Sequence, residues 1–183
     1  MTAKQDIDSI NSWIAQNAQE FASVAPKTKA AAYYFTVLWS IFDLRHLERS
    51  ASRDKLVAFC NRLPEELDLD PFEEHWDYFR SRLANDNGPT EHFEPLHGND
   101  GVVAAILHDP IVAQHGTSKD RLTAMIFITY RLRCNLVHGN KYEDGLRDQY
   151  DNLMHGAKLT MLILEEAWRP KDTSGSHLTW DQE

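Results

Sequence analysis

The twelve residues Tyr130–Lys141, YRLRCNLVHGNK, decide how this chain is read. Extended back to Leu122 on a wheel of about 100° per residue, the segment places Leu122, Met125, Ile126, Thr129, Leu132, Leu136 and Val137 on one broad apolar face. Arg133 falls near the middle of that face, between Thr129 and Leu136, and Arg131 falls on the opposite, solvent side. A guanidinium does not shed its proton, so on an apolar face it needs a carboxylate, a group of carbonyls or a cleft open to an anion. An acid from another helix, such as Asp43 or Glu48, would supply the ion pair. His138 comes five residues later, and Gly139 behind it reads as a C-cap. The helix end favours the protonated imidazole modestly and keeps its charge change near neutral pH. On one ideal helix Arg133 and His138 diverge by about 140°. They converge only where the last turn unwinds or where two copies of the helix meet.

Outward from this segment the chain reads as helix throughout, since no stretch alternates with β-branched enrichment. Apolar periodicity and breakers predict helices over about 6–25, 29–62, 71–83, 102–107, 118–137 and 143–169. Ile7, Ile10, Ile14 and Phe21 mark the first helix. Tyr34, Val37, Leu38, Ile41, Leu44 and Leu47 mark the buried stripe expected of the second. Ser118 is the expected N-cap of the motif helix, with Arg121 three residues on and so no capping box. Residues 85–101, NDNGPTEHFEPLHGNDG, read as a long irregular loop. Trp39, Trp76 and Trp168 fall among apolar helical positions and are expected in the core. The expected architecture is all-α: a bundle of about four to six helices over 26–169, an N-terminal helical appendage over 1–25, and a tail over 170–183.

Composition narrows the function classes. The 183 residues are 42% hydrophobic and carry a formal net charge of −9, which suits one folded domain and excludes a general nucleic-acid coat, though not a local basic pocket. Cys60 and Cys134 have no CxxC spacing, which excludes a zinc ribbon and points to a reducing compartment. The opening MTAKQDIDSINSW has no signal-peptide pattern, and no apolar run nears the ~18 residues of a membrane span. A cytoplasmic protein without membrane contact is expected. His92, His97, His108 and His115 crowd the loop region, but they match no metal-ligand spacing, so no metal and no cofactor are expected. The acidic runs Glu65–Asp70 and Glu73–Glu74 read as solvated helix surface.

Arg133-Cys134-Asn135-Leu136-Val137-His138-Gly139 resembles the HEPN superfamily, whose hallmark is an arginine, four to six residues, then a histidine at a helix end. Many members read Arg-Asn-Asn-Leu-Phe-His-Gly there. Arg133, Asn135, Leu136, His138 and Gly139 match that pattern, Val137 is a mild change, and Cys134 stands where a polar residue, often Asn, usually tunes the site. The resemblance spans about residues 30–168. It implies a helical domain that dimerises and brings two Arg/His pairs into one cleft.

Catalytic members are metal-independent ribonucleases of toxin–antitoxin, CRISPR-associated and antiphage systems. Carried over, His138 is the acid or base toward the RNA 2′-hydroxyl or the leaving 5′-oxygen, and Arg133 holds the scissile phosphate. Asn135 orients the histidine or the ribose. Arg131, whose spacing also fits the looser motif, and Lys141 are second-choice substrate contacts. The implied partners are RNA, a second copy of the chain, and a cognate antitoxin or regulatory protein. Asn140 stands where one subfamily carries a modified tyrosine, and Tyr142 lies two residues further on. A non-catalytic HEPN-like module that binds RNA, nucleotide or a partner protein is the alternative.

Overall fold

From Ala124 to Thr129 six consecutive residues are buried, so the motif helix runs through the middle of the fold. It spans Ser118–Val137, as its periodicity predicts. The computed structural model describes residues 2–137, 146 and 148–169, and among these the chain is all-α apart from one two-residue hairpin. In chain order the helices are α1 (Ala3–Asn17), α2 (Gln19–Ala22), α3 (Pro26–His46), α4 (Arg53–Asn61), α5 (Glu73–Leu83), α6 (Phe93–His97), α7 (Gly101–Ile111), α8 (Ser118–Val137) and α9 (Tyr150–Leu164). Helix α8 contacts α3, α4, α6, α7 and α9, and α3 lies along α9. That enclosure explains why Ala124, Phe127 and Ile128, off the expected stripe, are as buried as Met125 and Ile126. None of the described helices is long and apolar enough to cross a membrane.

The main core joins Trp39 and Phe42 of α3, Leu56 and Phe59 of α4, Trp76 and Phe79 of α5, and Trp168 to the middle of α8. All three expected core tryptophans are there. A smaller cluster, with Val24, Ala31, Phe35, Leu153 and Ala157, seals α3 to α9. At its tightest point Gly156 lies under Phe35 and Leu132; a Cβ there would stand 3.2 and 3.3 Å from their side chains.

Several expectations need correction. The single helix expected over 29–62 is two, because Glu48 and Arg49 turn into the left-handed region at φ 56° and 59°. Lys55 holds that corner, donating from Nζ to the Leu47 carbonyl (3.0 Å), the Glu48 carboxylate (3.0 Å) and the Ser50 hydroxyl. No Gly or Pro marks the break, so sequence periodicity runs through it. The buried face of α3 is also rotated from the expected stripe: Ala31, Phe35, Trp39 and Phe42 face inward, while Tyr34, Val37 and Leu44 are exposed. Two apolar stripes compete on this helix, and the one with the larger aromatics takes the core.

The first helix is interrupted at Ala18, and α1 buries no residue at all. The segment expected as irregular loop contains the hairpin β1 (Ala84–Asn85) and β2 (Gly88–Pro89), then α6. Thr90 closes the hairpin by donating its N–H to Leu83 O at 2.9 Å. Helix α7 continues to Ile111 with Pro110 inside it, and α9 starts at Tyr150 and ends at Leu164. Thr117, one residue before Ser118, caps α8. The Asp120 N–H donates to Thr117 Oγ1 (3.2 Å) and the Thr117 N–H donates back to Asp120 Oδ2 (2.7 Å), a capping box built with Asp.

Candidate functional site

The motif helix is described through Val137, so Arg131, Arg133, Cys134 and Asn135 sit on its last two turns, while His138 and Lys141, with Asn140 and Tyr142, lie outside the described residues. Arg133 is half-buried, and among the described residues no carboxylate reaches it. The two acids considered as its partners are otherwise engaged or oriented. Glu48 pairs with Lys55 at 3.0 Å, and Asp43 Oδ1 is enclosed without a hydrogen-bond partner. Asn135 is buried at 6% exposure, which suits a role in orienting a neighbour more than one in touching a substrate. Cys134 is buried beside it, and Tyr130 is held in its neutral form first by burial and then by Cys134. Cys60 is no nucleophile: burial pushes its thiol up to about 12. Both cysteines are free thiols.

Arg131 is not the solvated arginine that the wheel predicts. Its Nε donates to the Leu96 carbonyl of α6 at 2.9 Å, and Nη2 lies 3.3 Å from where a Cβ on Gly98 would stand. Gly98 has φ +59°, a conformation L side chains adopt at a cost, so the glycine serves both the turn out of α6 and the close approach of the guanidinium. Arg131, Arg53, His97, Asn99 and Asp100 line an open cavity of about 600 Å³ at the start of α7. Asp100 caps α7 by accepting from the Val102 and Val103 amides at 3.1 and 3.2 Å and pairs with Arg53 at 3.5 Å. Slight burial would raise its carboxyl, but those two amides and Arg53 outweigh burial and hold it below the usual carboxylate range. His97 Nδ1 is shut from solvent with no hydrogen-bond partner. Arg53 also pairs with Asp54 at 3.3 Å, so at this cavity two guanidinium groups stand beside two carboxylates, both of them on Arg53. Arg131 and Arg133, two residues apart, point about 160° away from each other, so one chain does not bring both to a single phosphate.

The acidic runs also do more than face solvent. Glu73 takes Arg121 with both oxygens, at 2.8 and 3.0 Å, while that guanidinium lies over Trp76 at 4.8 Å. Glu65 pairs with Lys119 at 2.7 Å. Both pairs dock the first turn of α8 onto its neighbours. The crowded histidines His92, His97, His108 and His115 form no shared ligand cluster among the described residues.

One polar assembly was invisible to sequence spacing. His75 of α5 and His155 of α9 meet with their Nδ1 atoms 2.9 Å apart across 80 residues of chain. The Tyr78 ring stacks on His155 at 3.9 Å with 1° between planes, and its hydroxyl donates to Asn152 Oδ1 at 2.9 Å. Asn152 in turn donates to Gln149 Oε1 at 2.8 Å. Burial lowers the pKa of both imidazoles, and for His75 the neighbouring His155 lowers it further. No family profile, curated protein or solved structure matches the chain. What the fold and site define is an all-α protein with an arginine-bearing motif helix enclosed at its centre.

Proposed function

We propose that the chain is a metal-independent endoribonuclease of HEPN type that acts in the cytoplasm as a homodimer. RNA is cleaved by attack of its own 2′-hydroxyl on the adjacent phosphorus, giving a 2′,3′-cyclic phosphate and a free 5′-hydroxyl. His138 moves the proton at the 2′-oxygen or at the leaving 5′-oxygen. Arg133 binds the phosphate oxygens bidentately and stabilises the charge that grows on them. Asn135, buried and three residues before the histidine in the sequence, positions it. The observation that carries the reading is Arg133 itself: half-buried on the last described turns of α8, without a carboxylate among the described residues, and five residues ahead of His138 in the sequence.

Dimerisation is supported by apolar side chains left in water: Tyr33, Tyr34, Val37 and Leu44 on α3, and Val137 at the end of α8, are 39–65% exposed. A role as a toxin or antiphage component, restrained by an antitoxin or regulatory protein, goes with this reading.

The test is cleavage of total RNA in EDTA by wild type beside His138→Ala, each verified as a dimer. Cleavage by wild type alone, with cyclic phosphate ends, is the expected result. Cleavage by both proteins would sink the assignment. A second reading, a non-catalytic module that binds RNA or nucleotide, is favoured by two observations. Cys134 replaces the usual polar residue and is buried, and Arg131 lines an open cavity of about 600 Å³ away from Arg133. RNA binding without cleavage in either protein, lost in Arg131→Ala, would establish that module instead.

A further inference from the structure

Two imidazoles at 2.9 Å, Nδ1 to Nδ1, are arranged as a hydrogen bond or as two lone pairs aimed at one cation. As a hydrogen bond it needs one ring carrying its proton on Nδ1 and the other on Nε2. A third group bears on the choice: one ligand atom each of Glu74, His75 and His155 lies within 4.8 Å of the other two. A pure histidine pair needs no carboxylate at that point, whereas a borderline cation takes an N₂O set readily. We propose that Glu74, His75 and His155 form a binding site for a divalent transition-metal ion of the zinc class, which fastens α5 to α9.

The geometry suits the ion. At metal–nitrogen distances of about 2.05 Å, tetrahedral coordination separates two nitrogens by about 3.3 Å. Binding therefore opens the nitrogen pair by roughly 0.4 Å. Water completes the sphere on the side of exposed Glu74. Binding also balances in protons, because the ring with its proton on Nδ1 moves it to Nε2 and both Nδ1 lone pairs become free. His75 is 4% exposed, so it brings one nitrogen to a site whose outer wall is open. The ring of His155 is fixed by the Tyr78 stack on one side and by Phe79, edge-on at 6.2 Å. Tyr78 is in turn fixed through its bond to buried Asn152. Such outer partners set ligand orientation in metal sites and usually change affinity by about 10–100-fold when removed. The inference is independent of the ribonuclease reading, since a fastening ion takes no part in 2′-hydroxyl chemistry.

The experiment uses the whole chain, stripped with EDTA, exchanged into chelator-free buffer and titrated with Zn²⁺ under a competing chromophoric chelator, with thermal melts in parallel. Expected are one Zn²⁺ per chain, a higher Tm with the ion, and a Co²⁺-substituted form showing tetrahedral visible absorption. Glu74→Gln, at an exposed position, keeps the fold and weakens Zn²⁺ at least tenfold, while His155→Gln removes the stoichiometric ion. No bound ion above the His155→Gln background, or an unchanged affinity in Glu74→Gln, overturns the proposal and leaves the histidines as a hydrogen-bonded pair.

Discussion

The two halves of α8 share one helix and little else. From Leu122 to Thr129 all but Thr123 are buried and none is titratable. From Tyr130 to Val137 the helix emerges: both arginines are half-buried, Val137 is exposed, and only Cys134 and Asn135 stay inside. The first half holds the molecule together, and the second presents charge at an edge that the first half makes rigid. An arginine can be kept poised near a surface only because another stretch of the same helix supplies the packing energy. Stability and chemistry should therefore separate cleanly between the two halves.

The largest effect expected is in the buried half. Phe127→Ala removes a fully enclosed ring and should cost about 3–5 kcal/mol in denaturant unfolding, a large part of the stability of a domain this size. Arg133→Ala should do the opposite. It should leave unfolding within about 0.5 kcal/mol and lower RNA cleavage by about 100-fold or more. A destabilisation comparable to that of Phe127→Ala would show that Arg133 is structural and erase the contrast.

Next comes Gly98→Ala, which sharpens the distinction between the arginines. It should cost about 1–2 kcal/mol in denaturant unfolding through the positive φ and push Arg131 from its Leu96 carbonyl while leaving RNA cleavage intact. The smallest effect is acid sensitivity. His46, His75 and His155 all have pKa values lowered chiefly by burial. For His46 the Glu166 carboxylate opposes this, and Arg45 and Arg62 add to it. A lowered folded value means that the fold favours neutral imidazole. The stabilisation is fully present above the unfolded value near 6.5 and is lost as pH falls from there toward the folded values. Unfolding midpoints should drop between pH 7.5 and 5.5. His46→Phe, which keeps the stack on Phe42 and Phe59 and removes the unpartnered Nε2, should flatten part of that slope.

The same contrast explains what the sequence could reveal. Helix α8 was legible from its apolar periodicity, and its start falls at the expected Ser118, though its cap is Thr117 with Asp120. Helix α5 and the three core tryptophans were legible on the same grounds. The corner at Glu48 and Arg49 was not, since a lysine several residues downstream holds it and no breaker residue announces it. The buried face of α3 was not legible from periodicity, since two apolar stripes share the helix and the one carrying Phe35, Trp39 and Phe42 takes the core. Arg131 was placed by helical angle alone, which is blind to α6 arriving from 35 residues upstream. The His75–His155 pair is carried by two helices far apart in the chain, and no local spacing encodes it.

Helix α1 follows a different logic from the rest. It carries no buried residue, and Ile7, Ile10 and Trp13 are 59–64% exposed, so its hydrogen bonds rest on little besides its own fifteen residues and the Thr2–Gln5 contact at its start. An isolated helix of that length is only marginally stable in water. The protein therefore keeps two clocks for amide exchange. The amides of α1 should trade hydrogen for deuterium almost as fast as an open chain, while those of Ala124–Thr129 wait for the whole molecule to unfold. Anything that settles onto α1 would be read first as a slowing of the fast clock, with the slow one unchanged.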